Sequence, residues 1–104
     1  MTESDDALEA VELAKKNGKI RKGANEVTKV LERGQAKLVV VAKDISPKEI
    51  VMHIPLLAKE KGVPYIEVES KEELGAAAGI PVATAAIVIV EAGDAQKIID
   101  KLKA

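Results

Sequence analysis

The amino-acid sequence predicts an α/β protein: a three-layer α/β/α sandwich with a small mixed sheet, forming one domain over residues 1–104. Three observations lead there. Apolar runs of strand length occur at Leu38–Ala42 and Ala86–Val90, with a third strand at Tyr65–Val68. Between them lie stretches with helical periodicity and start signals, joined by short connections. Leu38-Val39-Val40-Val41-Ala42 is continuously apolar rather than alternating, so that strand should be covered on both faces.

The elements follow in order. Ser4 can cap a first helix that turns Leu8, Val11 and Ala14 inward and stops at Asn17-Gly18. Lys19 to Lys22 reads as a short strand or extended lead-in. A second helix begins near Asn25 and ends at Arg33-Gly34. Ser46-Pro47-Lys48-Glu49 joins a Ser cap, a proline at the first position and a glutamate at the third. The helix it opens meets Pro55 and should kink or break there. Ser70-Lys71-Glu72-Glu73 is a second capping box, whose helix closes at Gly79. Gly93-Asp94 introduces a last helix with Ile98, Ile99 and Leu102 on its inner side.

Composition narrows the functional classes. With 47% hydrophobic and 32% charged residues the chain is globular, not disordered. It has no cysteine, which removes disulfides and thiolate metal sites. No apolar run is long enough for a membrane span, and the acidic N-terminus does not resemble a secretory signal. A cytoplasmic monomer is the expectation.

The net charge of −1 argues against nucleic-acid binding until its distribution is read. Residues 1–14 carry five acids and no base, whereas residues 15–33 carry seven bases against Glu26 and Glu32. Such a focused patch binds a defined polyanionic site and resists loose coating. Inside it, Gly23 turns a basic stretch into a helix whose first residues are Asn25 and Glu26. At 100° per residue, Lys29 and Arg33 fall on the face of Glu26 while Val27, Val30 and Leu31 gather opposite. Free N–H groups near Gly23 and Ala24 would draw phosphate, with Lys22, Lys29 and Arg33 as countercharge. Asn25 and Glu26 can hydrogen-bond to base edges. Asn25 is equally a good N-cap, and Glu26 suits the helix dipole, so on periodicity both a structural and a recognition role stay open.

The loop Gly79-Ile80-Pro81-Val82-Ala83-Thr84 is apolar where loops are usually polar. It reads either as an exposed platform for an unstacked base or, more commonly for such segments, as a buried lead-in to the strand. His53, the sole histidine, sits beside Ile54 and Leu57 and reads as structural. Ser46 and Ser70 are explained as caps. No Gly-rich phosphate loop, histidine cluster or nucleophile–base pair occurs, so no catalytic residue, metal or cofactor is expected. Tyr65 is the only aromatic, which disfavours RNA modules built on stacked aromatics.

The Lys-Gly-Ala-Asn-Glu-Val-Thr-Lys core within Lys19–Gly34 resembles the signature of the ribosomal L7Ae family of kink-turn RNA-binding proteins. Ile50-Val51-Met52-His53-Ile54-Pro55-Leu56-Leu57, Lys61-Gly62-Val63-Pro64-Tyr65 and Ser70-Lys71-Glu72-Glu73-Leu74-Gly75 resemble it too, in the family's order. The similarity spans roughly Leu8 to Lys103 and is archaeal in tone. It implies a protein that recognises kink-turns, bent duplexes built on tandem sheared G·A pairs, in ribosomal RNA and in box C/D and H/ACA guide RNAs. It implies a large-subunit component and a nucleator of guide ribonucleoproteins, with guide-particle proteins and RNase P components of tRNA processing as partners. Residue by residue, Asn25, Glu26 and Lys29 match positions contacting the G·A pairs, Gly23 and Ala24 the backbone approach, and Arg33 a phosphate-facing position. Ile80 and Val82 match the loop covering the extruded nucleotide, with Pro81 between them and Lys71 and Ile50 close by. The Ile80-Pro81-Val82 loop is a hybrid, its first residue like that of one group of relatives and its proline like the other. The segment preceding the first helix is shorter than in many archaeal members.

The alternatives are distinct in what they bind. A single-target ribosomal or regulatory paralogue would keep the RNA class. A protein-interaction scaffold would leave the basic corner a solvated helix, and a small nucleotide-binding or hydrolytic domain would need the phosphate loop that is missing.

Overall fold

The computed structural model describes residues 3–44 and 52–103. Helix α1 (Glu3–Asn17) leads into strand β1 (Lys19–Lys22), then α2 (Ala24–Glu32), β2 (Leu38–Ala42) and α3 (Ile54–Glu60). Strand β3 (Tyr65–Val68), α4 (Lys71–Ala77), β4 (Ala86–Glu91), a 3₁₀ turn (Gly93–Ala95) and α5 (Gln96–Lys103) complete the described order. The strands lie in the order β1-β4-β2-β3; β2 runs parallel to β3, and β4 antiparallel to both β1 and β2. This is the mixed sheet expected from the sequence.

Helices α1, α4 and α5 pack together, and α2 packs with α3, giving a helical layer for each face of the sheet. All five residues of β2 are buried, as are Ala86 to Ile89 of β4. The two central strands therefore lose their apolar surface to both layers, the reason they read as continuous apolar runs. Edge strand β1 alternates weakly, with only Ile20 half-buried between exposed cations. A register shift in its pairing with β4 falls between Lys19 and Ile20. Such a shift adds local twist where the strand turns toward α2.

Several element boundaries differ from the sequence reading. Helix α1 is already formed at Glu3, so Ser4 lies inside it, and the buried face is Asp6, Ala7, Ala10, Val11 and Ala14, with Leu8 only half-buried. The carboxylate of Asp6 escapes isolation by pairing with Lys101 Nζ at 3.2 Å, which ties α5 to α1. Pro55 occupies the first turn of α3, where its missing N–H loses no helical bond. The break expected there is thus a helix start. The Ser46 capping box and Ile50 lie outside the described residues. Ser70 caps α4 as expected, its hydroxyl accepting from the N–H groups of Glu72 at 3.1 Å and Glu73 at 3.4 Å.

Tyr65 supplies a check on this packing. Burial, and then the charge of Glu67, whose carboxylate accepts from the phenol at 3.2 Å, push the hydroxyl well above its ordinary range. The unfolded chain gives up this proton first, so Tyr65 contributes stability that is lost as pH climbs past about 10. With a single tyrosine and no tryptophan, ultraviolet absorbance reports it alone. The native protein should ionise at higher pH than the same protein in denaturant; equal midpoints would contradict the half-buried, Glu67-bonded phenol.

Candidate nucleic-acid interface

The basic corner is built where β1 meets α2. Gly23 provides the N-cap with φ 94° and ψ 145°, a conformation that a side chain would oppose. Its N–H donates to Ala86 O at 2.9 Å, which pins the corner to β4, and its carbonyl accepts the first helical bond from Val27 N–H at 3.0 Å. No side chain caps the helix. The N–H groups of Ala24, Asn25 and Glu26, with no carbonyl one turn behind them in the helix, face outward with the positive end of the dipole.

This settles one question that periodicity left open. Asn25 is not the N-cap; it is the second residue of the helix, exposed, and its side chain makes no hydrogen bond among the described residues. Glu26 is also exposed and, among the described residues, its one ion-pair partner is Lys29, at 3.9 Å between Oε1 and Nζ. An exposed pair three residues apart contributes only a few tenths of a kcal/mol, so a ligand can displace it at little loss. The opposite face holds Val27, Val30 and Leu31 in the core. Arg33 ends the helix as its C-cap, about 10 Å along the axis from Glu26. One stripe therefore carries exposed hydrogen-bonding side chains at its start and cations along its length.

The apolar loop closes on the same corner. Ile80 is half-buried, Pro81 is exposed and Val82 is 63% exposed. The segment is an outward platform, and the buried lead-in reading does not hold for these residues. Its path is fixed from two sides. Ile80 N–H donates to Gly75 O at 3.1 Å, and Thr84 N–H to Lys71 O at 3.2 Å. Gly75 permits the close approach, since a Cβ there would run into the Val82 carbonyl oxygen and stand 3.2 Å from Ala83 Cα. The exposed Lys71 thus anchors the far end of the platform, and its own N–H is held by Asp44 Oδ1 at 2.8 Å.

A cleft of about 410 Å³ joins the two parts, lined by Lys15, Ile20, Arg21, Lys22, Glu26, Ala78 and Ile80. It brings Lys22, Glu26 and Ile80 together, with Lys15 and Arg21 beside them. Those two were counted in the basic patch but not in the site. Nothing in helical spacing signals that the end of α4 arrives beside α1. On its outer side the platform borders a second hollow with Glu72 and Ala76, reached by Pro81 and Val82.

His53 differs from its expected setting. It is exposed at the N-cap of α3, with Nε2 2.6 Å from Thr28 Oγ1. The Thr28 hydroxyl donates its proton to Ala24 O at 2.8 Å, so it accepts from Nε2–H. The histidine braces α3 against the first turn of α2, a structural role in polar surroundings. Among the described residues no group of three His, Cys, Asp or Glu side chains could hold a metal ion, and no helix is long and apolar enough to cross a membrane.

A model of the ribosomal protein L7Ae/L30e/S12e/Gadd45 family matches residues 5–99. Among solved structures, the chain is similar to the Giardia lamblia 15.5kD RNA binding protein, with a TM-score of 0.90 and 36% sequence identity over 97% of this chain and 84% of that one.

Proposed function

Since the chain belongs to the ribosomal protein L7Ae/L30e/S12e/Gadd45 family, we propose that it is a non-enzymatic RNA-binding protein that captures kink-turns. The observation that carries this reading is the α2 corner. A glycine, not a side chain, caps the helix, and Asn25 stands exposed with its hydrogen-bonding groups unspent. The Giardia lamblia protein, described as RNA binding, supports the same class of ligand.

In this reading Asn25 and Glu26 contact the sheared G·A pairs, while Lys22, Lys29 and Arg33 neutralise phosphates and position the duplex. Gly23 and Ala24 let the RNA backbone approach the helix end. Ile80, Pro81 and Val82, with Lys71 behind them, cover a nucleotide turned out of the stack. Free kink-turn RNA samples open and bent forms, and a protein that binds only the bent one shifts the population toward it. Targets are kink-turns of ribosomal RNA and of box C/D and H/ACA guide RNAs in the cytoplasm. There the protein serves the large ribosomal subunit and nucleates guide particles, with RNase P as a further assembly.

The test is a gel-shift titration at fixed moderate salt. A kink-turn RNA is compared with the same RNA whose G·A pairs are changed to Watson–Crick pairs. Tight binding to the first and loss on the second is the expected result. Equal, weak, salt-sensitive binding to both would reduce the corner to an electrostatic patch and overturn the reading.

A further inference from the structure

The cleft beside the α2 corner is lined by a cation that comes from outside the corner, Lys15 of α1. Lys15, near the C-terminal end of α1, sends its side chain over Gly79. A methyl group built on Gly79 would stand 2.9 Å from both Cδ and Cε of Lys15. Gly79, at φ 70°, thus leaves open the track in which the lysine stem lies. The stem crosses from α1 to the end of α4, where the ammonium itself lies over Gly79 and borders the cleft shared with Arg21 and Lys22.

The charges there do not balance internally. Among the described residues, neither Lys15, Arg21 nor Lys22 has a carboxylate within ion-pair distance, and Glu26 is shared with Lys29. Three unpaired cations therefore surround an apolar floor of Ile20, Ala78 and Ile80. A phosphate flanked by a sugar or base face matches both halves of that lining. Lys16, its neighbour in the last turn of α1, provides the contrast. It is equally exposed, suits the helix dipole equally well, and does not line the cleft.

We propose that this cleft is a phosphate-binding subsite, with Lys15 as its positioned ligand, taking one phosphodiester of the RNA strand that runs on from Asn25 and Glu26. The subsite rests on the RNA-binding reading but adds a residue and a contact to it.

The experiment compares the wild type with Lys15→Ala, Lys15→Arg and Lys16→Ala, titrating kink-turn RNA and its Watson–Crick control across a salt series. Lys15→Ala should flatten the log–log dependence of affinity on salt by about 0.7–0.9, the loss of one phosphate contact. It should also weaken binding roughly threefold or more at low salt. Lys15→Arg should keep the slope, and Lys16→Ala should leave it unchanged although it removes the same formal charge. Identical slopes for Lys15→Ala and Lys16→Ala would overturn the subsite. A wild type that binds both RNAs alike would sink the kink-turn reading alone, because the Lys15-specific slope would still register on either RNA.

Discussion

Replacing Asn25 and Glu26 together by alanine should abolish the proposed kink-turn binding and leave the fold intact. Each well-made base contact discriminates by about 1–3 kcal/mol, so losing both lowers affinity roughly 30-fold to more than 10⁴-fold. The stability side is small. Asn25 caps nothing, Glu26 gives up one exposed ion pair, and both side chains lie outside the core. Alanine is the better helix former at both positions, and surface changes of this kind stay within about 0.5 kcal/mol. Thermal unfolding followed by circular dichroism and a gel shift on the same sample separate the two effects. A double variant that still binds G·A-dependently with undiminished affinity would refute the site assignment.

The second large effect comes from a residue outside the proposed site. Gly75→Ala should destabilise the protein and weaken kink-turn binding together, although helix propensity alone predicts the opposite. In a helix interior, alanine gains about 1 kcal/mol over glycine. Here the new methyl would collide with the carbonyl of Val82 and crowd Ala83 Cα, both backbone atoms that cannot turn aside. Overpacking of this kind costs about 1–3 kcal/mol, so the collision wins. The relief available is for the Ile80–Ala83 platform to swing away, which removes the cover from the proposed nucleotide site. Urea denaturation should show a lower midpoint, and RNA affinity should fall. A variant more stable than wild type with unchanged affinity would mean that the platform does not depend on this contact.

Much of the architecture was legible because each element announces itself in short-range chemistry. Ser70 and Glu73 bracket a helix start, and the continuous apolar run from Leu38 to Ala42 could only be a doubly covered strand. The corner was legible as a set of residues but not as a geometry. The sequence holds no sign that Gly23 rather than Asn25 would cap α2, because a glycine with positive φ and an asparagine side chain satisfy the same turn in different ways. Pro55 was visible as an interruption, yet its place in the first turn of α3 depends on the chain before it. His53 looked apolar from its neighbours in sequence, while its partner Thr28 lies 25 residues away. Lys15 was hidden for the same reason: Gly79, over which it lies, belongs to a helix end far along the chain. Local propensity carries no information about which distant segments will meet.

The pairing of β1 with β4 has a consequence for synthesis. Among the described residues strand β1 pairs with β4 alone, and Gly23 is pinned to Ala86. The corner thus joins a segment made early in translation to one made late. At about 5–20 residues per second, roughly 3–12 s separate the emergence of α2 from that of β4. During that interval α2 can be helical, but its first turn has no strand to fix its direction. The corner comes into being only when β4 arrives, so a nascent chain carries the corner's residues before it carries the corner's geometry.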